Sequence, residues 1–273
     1  MSATSTDVAG RRPAPGGLTG ATPQQLHTAY LLSLGDDALI YAQRLGEWLT
    51  HAPQIEEDMA LGNVALDLLG QARSLLTRAG EVEGQGRDED ALAMLRDERA
   101  FRNVQLVEVP RGDFAHEMAR MLWFASYQHE LYTRLLDSAD QTLAGIAEKA
   151  VKEVDYHRDH ATQWVLRLGD GTELSHQRMQ TALADVHPYV RELGEDHAAA
   201  TWAAEQGIGV PPSALAEKVT AAVSQVITQA TLELPDDPRW HARGGRDGVH
   251  SEAMGFQLAE MQHIARSHPG AVW

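Results

Sequence analysis

Apolar and polar positions recur with helical spacing along most of this chain, and the strongest pattern lies in the stretch Gln54–Thr77. Placed at about 100° per residue, Leu61, Val64, Leu68 and Leu75 fall on one line. Met59, Gly62, Ala65, Leu66, Leu69, Ala72 and Leu76 widen that surface past half the circumference, leaving a narrow polar strip of Glu56, Ala60, Asn63, Asp67, Gln71 and Ser74. A surface helix carries an apolar stripe on a polar body. The reverse here predicts a central helix with neighbours on most sides. Its polar strip faces either water or a bundle interior.

Other segments follow the same rule. Thr22-Pro23 reads as N-cap and first helical position. From there Leu31, Leu34, Ala38, Tyr41, Leu45 and Trp48 recur at steps of three and four, to an end near Ala52-Pro53. The short connection makes this helix antiparallel to the next. Gly80 and residues 84–88 read as a loop, 91–102 as a shorter helix, and 106–113 as an extended crossover whose Asp113 caps a new helix. There Phe114, Met118, Met121, Ala125, Gln128, Tyr132 and Leu135 share a line. A further helix runs from about Gln141 through Ile146, Ala150, Val154, His157, Ala161, Trp164 and Leu168 to the Gly169-Asp170-Gly171 turn.

Two helical hairpins, with helices of about 25 residues and ~37 Å, joined by a crossover of roughly 35 residues, predict an all-α, ferritin-like four-helix bundle. Shorter helices are expected at 173–193, 195–206, 212–233 and 251–267. Residues 1–22, rich in Ser, Thr, Ala, Gly and Pro, are expected to be a disordered tail. Residues 23–273 are expected to form a single domain.

Composition narrows the chemistry. Acidic residues outnumber basic ones 39 to 23, a formal charge of −16, which disfavours nucleic acid and anionic membranes as partners. Without cysteine there is no disulfide, thiolate metal site or thiol nucleophile. No apolar run approaches ~20 residues, so no membrane span is expected. Arg11-Arg12 is followed by Pro, Ala and Gly instead of an apolar stretch, so it does not read as an export signal, and a cytoplasmic location is expected.

A ferritin-like di-iron centre takes a Glu from each of two helices and a Glu-x-x-His from each of the other two. Only Glu173/His176 and Glu260/His263 have that spacing, and both lie outside the four long helices. The second helix offers Ala60 and Asn63 at the required spacing, the fourth offers Val154 and His157, and the third offers Gln128 without a carboxylate on its line. The first carries Asp37 and Glu47 with Arg44 between them. A guanidinium cannot ligate a metal; turned inward, Arg44 would replace metal charge and pair with Asp67 or Asp37. No metal ligand is therefore assigned in this chain. His157 reads more simply as a core histidine, and His160 and Glu153 as surface groups. Lys152, Asp155, Arg158 and Asp159 read as a solvated charged face. If the polar strip is buried, Asn63, Asp67 and Gln71 must hydrogen-bond one another.

Several runs resemble a known family. Gly35–Trp48 (GDDALIYAQRLGEW), Leu66–Arg73 (LDLLGQAR), Gly112–Ala115 (GDFA), Gly169–Thr172 with Ser175-His176, and Ala259–Gln262 (AEMQ) are similar to the structural, C-type subunit of the bacterial phenylacetyl-CoA ring epoxidase. The resemblance covers most of residues 24–273; His116 and His263 depart from it. It implies a ferritin-like fold in a multicomponent monooxygenase of aerobic phenylacetate catabolism. It implies as partners a homologous catalytic subunit, which carries the di-iron centre, and further small and reductase components. By similarity to that catalytic subunit, Ala60–Asn63 and Val154–His157 occupy the two Glu-x-x-His frames. The chain is then a non-catalytic partner with a vestigial metal site and no cofactor of its own. The alternative is a di-iron oxidase or ferroxidase using Asp67, Asp37 and His157.

Overall fold

The computed structural model describes Leu18 and residues 20–271. The expected tail thus lies largely outside the described residues; of its remainder, Leu18 packs against the core and accepts the Ala21 N–H at 3.1 Å. Four long helices come first: α1 (Pro23–Gly46), α2 (Ile55–Glu83), α4 (Phe114–Leu135) and α5 (Gln141–Gly169), with the short α3 (Glu89–Met94) in the crossover. Then follow α6 (Glu173–Val190), α7 (Ala198–Glu205), α8 (Ser213–Gln229) and α9 (Glu252–Ser267). No strand occurs among the described residues, and none of the helices is long and apolar enough to cross a membrane. The all-α, ferritin-like architecture is the one expected.

Local chemistry sets the helix ends. Thr22 accepts the Gln25 N–H, Gln25 returns a bond to the Thr22 N–H at 2.8 Å, and Pro23 opens α1. α1 stops at Gly46, earlier than expected, and residues 47–52 form successive turns. Thr50 adopts a left-handed φ of 70° and donates its N–H to Asp58 at 2.7 Å, which fixes the link to α2. α2 continues past Thr77 and closes on Gly84, whose φ is 67°.

The expected central helix is not the most buried one. α2 buries Leu61, Val64, Leu68, Gln71, Ala72, Leu75 and Leu76 on one side and leaves Met59, Leu66 and Leu69 in solvent. α1 and α4 are the enclosed helices, buried along most of their lengths. The cause is tertiary: α7, α9 and the crossover cover α1, and α6 and α8 cover α4. Buried side chains from α1 through α9 form one apolar cluster. Where α1 faces α4, large side chains fill the space. Tyr41 meets Phe124 edge-on at 5.1 Å, and fully buried Glu117 accepts from Tyr41 Oη at 2.7 Å and Trp48 Nε1 at 2.8 Å.

The crossover is shorter in helix than expected because buried charges hold it extended. Asp36 and Asp37, adjacent on α1, accept the N–H groups of Arg102 and Val104 at 2.8 and 2.9 Å. Asp36 also pairs with Arg96, and Asp37 with Arg246. Glu108 accepts from Asn103 Nδ2 at 2.9 Å and from both Ser251 N and Oγ at 2.7 Å, and it pairs with His250. Glu192 accepts the N–H groups of Gln105 and Gly245 at 2.6 and 2.7 Å. One polar network therefore ties α1, the crossover, the turn after α6 and the segment before α9.

Candidate functional site

A metal centre in a bundle of this kind sits between the long helices, so the polar groups facing one another there define the candidate site. α2 and α5 run antiparallel and touch along a seam. Asp67 and Gln71 are one turn apart on α2, and His157 and Glu153 one turn apart on α5, so each pair reaches across to the other. His157 Nε2 donates to Asp67 Oδ2 at 3.1 Å. Gln71 Nε2 donates to Glu153 Oε2 at 3.0 Å, and Tyr132 of α4 donates its hydroxyl to Gln71 Oε1 at 3.2 Å. Lys149 holds the other Glu153 oxygen at 3.1 Å. Further along, Trp164 Nε1 donates to Glu57 Oε2 at 2.7 Å, with His160 Nε2 3.4 Å from the same oxygen.

The seam is graded in exposure. His157 and Gln71 are buried, whereas the Asp67 side chain keeps 35% of its surface. Burial holds the His157 imidazole below its ordinary value, and Asp67 opposes the shift without reversing it. Burial likewise lowers His160 against the pull of Glu57. At neutral pH the seam therefore carries neutral imidazoles against carboxylates and amides. It suits fixed hydrogen bonds between two helices.

Of the positions singled out in the sequence, the seam gathers Asp67 and His157, with Val154 fully buried one turn before His157. Ala60 is half-buried, and Asn63 is exposed and lines a groove against α1. The Asn63–Asp67–Gln71 network is thus not formed; Asp67 and Gln71 each bond to α5 instead. Gln128 is buried on α4 and its Oε1 has no partner. Arg44 is buried but meets neither Asp67 nor Asp37. It pairs with Glu47 and donates to Glu108 O at 2.9 Å and Gln257 Oε1 at 2.7 Å, because α9 and the crossover lie on that side of α1. His160 and Glu153 are not surface groups: both are largely covered, Glu153 bonded to Gln71 of α2 and His160 lying 3.4 Å from Glu57. The charged face is as read, with Arg158 donating to Asp155 at 2.8 Å. His116 bridges Asp113 and Asp185 at 2.8 and 2.9 Å.

The donor set does not fit a dinuclear iron centre. Val154 and Ala60 have no donor atom, Asn63 points away, and the His157 nitrogen facing α2 is engaged by Asp67. Asp37, needed by an alternative ligand set, is held by Arg246 at 2.7 Å. Among the described residues no three His, Asp or Glu side chains converge closely enough to hold a metal ion.

Glu57, Glu153 and Glu117 were not legible as interior groups. Glu153 had one usable signal, its one-turn spacing before His157; Glu117 had none, since its burial depends on Tyr41 of α1 and Trp48 of the turns that follow it.

Comparison with known proteins agrees with this architecture. Residues 18–273 match the model of a family described as phenylacetic acid catabolic protein. The chain is also similar to the C-type subunit of the 1,2-phenylacetyl-CoA epoxidase of Escherichia coli (strain K12), with 45% identity over 246 residues, covering 90% of this chain and 98% of that protein. On the strength of that match across its length, the chain belongs to the phenylacetic acid catabolic protein family.

Proposed function

We propose that this chain is a non-catalytic structural subunit of a multicomponent di-iron monooxygenase that epoxidises the aromatic ring of phenylacetyl-CoA. On this reading it works in the cytoplasm and pairs with a homologous catalytic subunit, which supplies the irons and the substrate pocket. Small and reductase components complete the assembly. The chain's own metal site is vestigial, and it holds no cofactor.

One observation carries the reading: where the fold would gather carboxylates and imidazoles around two irons, Asp67, Gln71, Glu153 and His157 hydrogen-bond each other in pairs. The similarity to an epoxidase subunit supports the same conclusion. The test is co-expression with the catalytic subunit, followed by measurement of size and iron. A stable complex whose iron resides in the partner is expected. Near-stoichiometric iron on this chain purified alone overturns the reading.

A further inference from the structure

Methionine is the one sulfur-bearing residue type in this chain: there are eight, and no cysteine. The fold treats them unequally. Met118, Met121, Met179 and Met254 are buried in the core, and Met94 and Met261 are half-buried against it. Met59, in the second turn of α2, is 65% exposed.

The packing of α2 explains that exposure. The C-terminal helices cover α1, α4 and α5, whereas α2 packs chiefly on α1, α3 and α5 and keeps a bare outer side. There Met59 lines a groove of about 440 Å³ between α1 and α2, together with Leu39, Leu49, Leu66 and Leu69. None of the side chains lining it is aromatic, so the thioether has no ring contact there to hold it. Asn63, one turn further along α2, lines the same groove.

An accessible thioether reacts with peroxide through a sulfur lone pair. The O–O bond breaks, one oxygen forms an S–O bond and the other leaves as water. Sulfur is oxidised by two electrons and peroxide is reduced by two. The product is a sulfoxide, which turns a flexible apolar side chain into a polar, chiral one. Burial slows the reaction, because peroxide must reach the sulfur. On Met59 the new oxygen stands among four leucines, with the Asn63 amide a helical turn away as a donor.

We propose that Met59 is an oxidation site of this chain, and that its sulfoxide converts the α1/α2 groove from an apolar to a polar surface. Reductases return methionine sulfoxide to the thioether, so the change is reversible. The site needs only peroxide and does not depend on the function proposed above.

The experiment treats the full chain with graded hydrogen peroxide and follows each methionine by peptide mass spectrometry, with circular dichroism as the check on folding. Met59 is expected to oxidise about 10-fold faster than Met118, Met121, Met179 and Met254, with Met94 and Met261 in between. Nile red, an uncharged apolar dye, reports the groove. At a dose that oxidises Met59 alone, its emission with the wild-type chain is expected to fall about twofold and to recover after methionine sulfoxide reductase. Met59→Leu should bind dye as wild type both before and after peroxide. Met59→Gln, tested without peroxide, should bind as the oxidised chain does, which keeps the test valid should peroxide disturb the fold. Oxidation of the four core methionines as fast as Met59 in a folded chain overturns the site. So does a Met59 still reduced when Met94 and Met261 are oxidised. Equal dye emission from wild type and Met59→Gln, or an equal loss of emission in peroxide-treated Met59→Leu, overturns the change of surface.

Discussion

Asp37 on α1 and Arg246, 209 residues later, form a two-pronged ion pair of 2.9 and 2.7 Å with both side chains buried. Burial raises the Asp37 carboxyl, and Arg246 counters it. The same guanidinium donates to Ser33 O and Arg102 O at 2.8 and 2.9 Å, so one side chain fastens α1, the crossover and the segment before α9. Removing one partner strands the other charge in the interior. Arg246→Ala is expected to cost about 3–5 kcal/mol. Arg246→Lys should recover little, because an ammonium cannot reproduce the fork. Urea unfolding measures both. Arg246→Ala as stable as wild type would show that water reaches Asp37.

The seam between α2 and α5 gives a pH prediction. His157 is neutral in the fold because burial lowers its pKa, while the unfolded chain titrates near the ordinary 6.5. Below that value the unfolded state binds more protons, so this contribution to stability is intact above about pH 6.5 and is lost as pH falls. His157→Gln should remove that part of the acid sensitivity. Equal slopes of urea midpoint against pH for the two proteins would contradict it. His157→Ala should lower stability by roughly 1–3 kcal/mol, and turnover per intact complex should not change.

Glu192 predicts the opposite slope. Burial pushes its carboxyl up to about 7, against the two backbone N–H groups it accepts and the charge of Arg246. The folded state then binds the extra proton. Its contribution is complete below the ordinary 4.5 and is lost as pH rises towards 7, on the order of 3 kcal/mol in full. Glu192→Gln is expected to cost most at pH 5 and progressively less towards pH 8. A cost that is flat across this range would mean the carboxyl titrates normally.

Two glycines inside long helices should respond oppositely to alanine. A Cβ on Gly80 would sit 2.1 Å from Arg87 O, so Gly80→Ala must displace the turn that opens the crossover, at a cost of about 1–3 kcal/mol. A Cβ on Gly145 of α5 meets nothing within 4 Å, and Gly145→Ala should stabilise by about 0.5–1 kcal/mol. Thermal midpoints moving in the same direction would contradict the pair.

Much of the architecture was legible because it rests on local chemistry. Thr22-Pro23, Asp113 and the glycines at 169–171 mark helix boundaries through rules that act within a few residues, and the lines through Tyr41, Met118 and Val154 follow from helical period alone. The missing Glu-x-x-His pairs were equally readable, since their spacing is a property of a single helix. Which apolar surface is covered was not readable. Leu61 and Leu66 look alike in sequence, yet one is fully buried and the other is mostly exposed, because burial depends on which helices arrive beside α2. The same holds for charge. Nothing in the sequence names Arg96 and Arg246 as the partners of Asp36 and Asp37, and Arg44 turned to Glu108 and Gln257 instead of Asp67 or Asp37. Local sequence determined the helices, their ends and the donor atoms absent from them. Only the tertiary structure decided which faces are buried and which charges meet, because those energies arise between segments as far apart as Arg44 and Gln257, 213 residues.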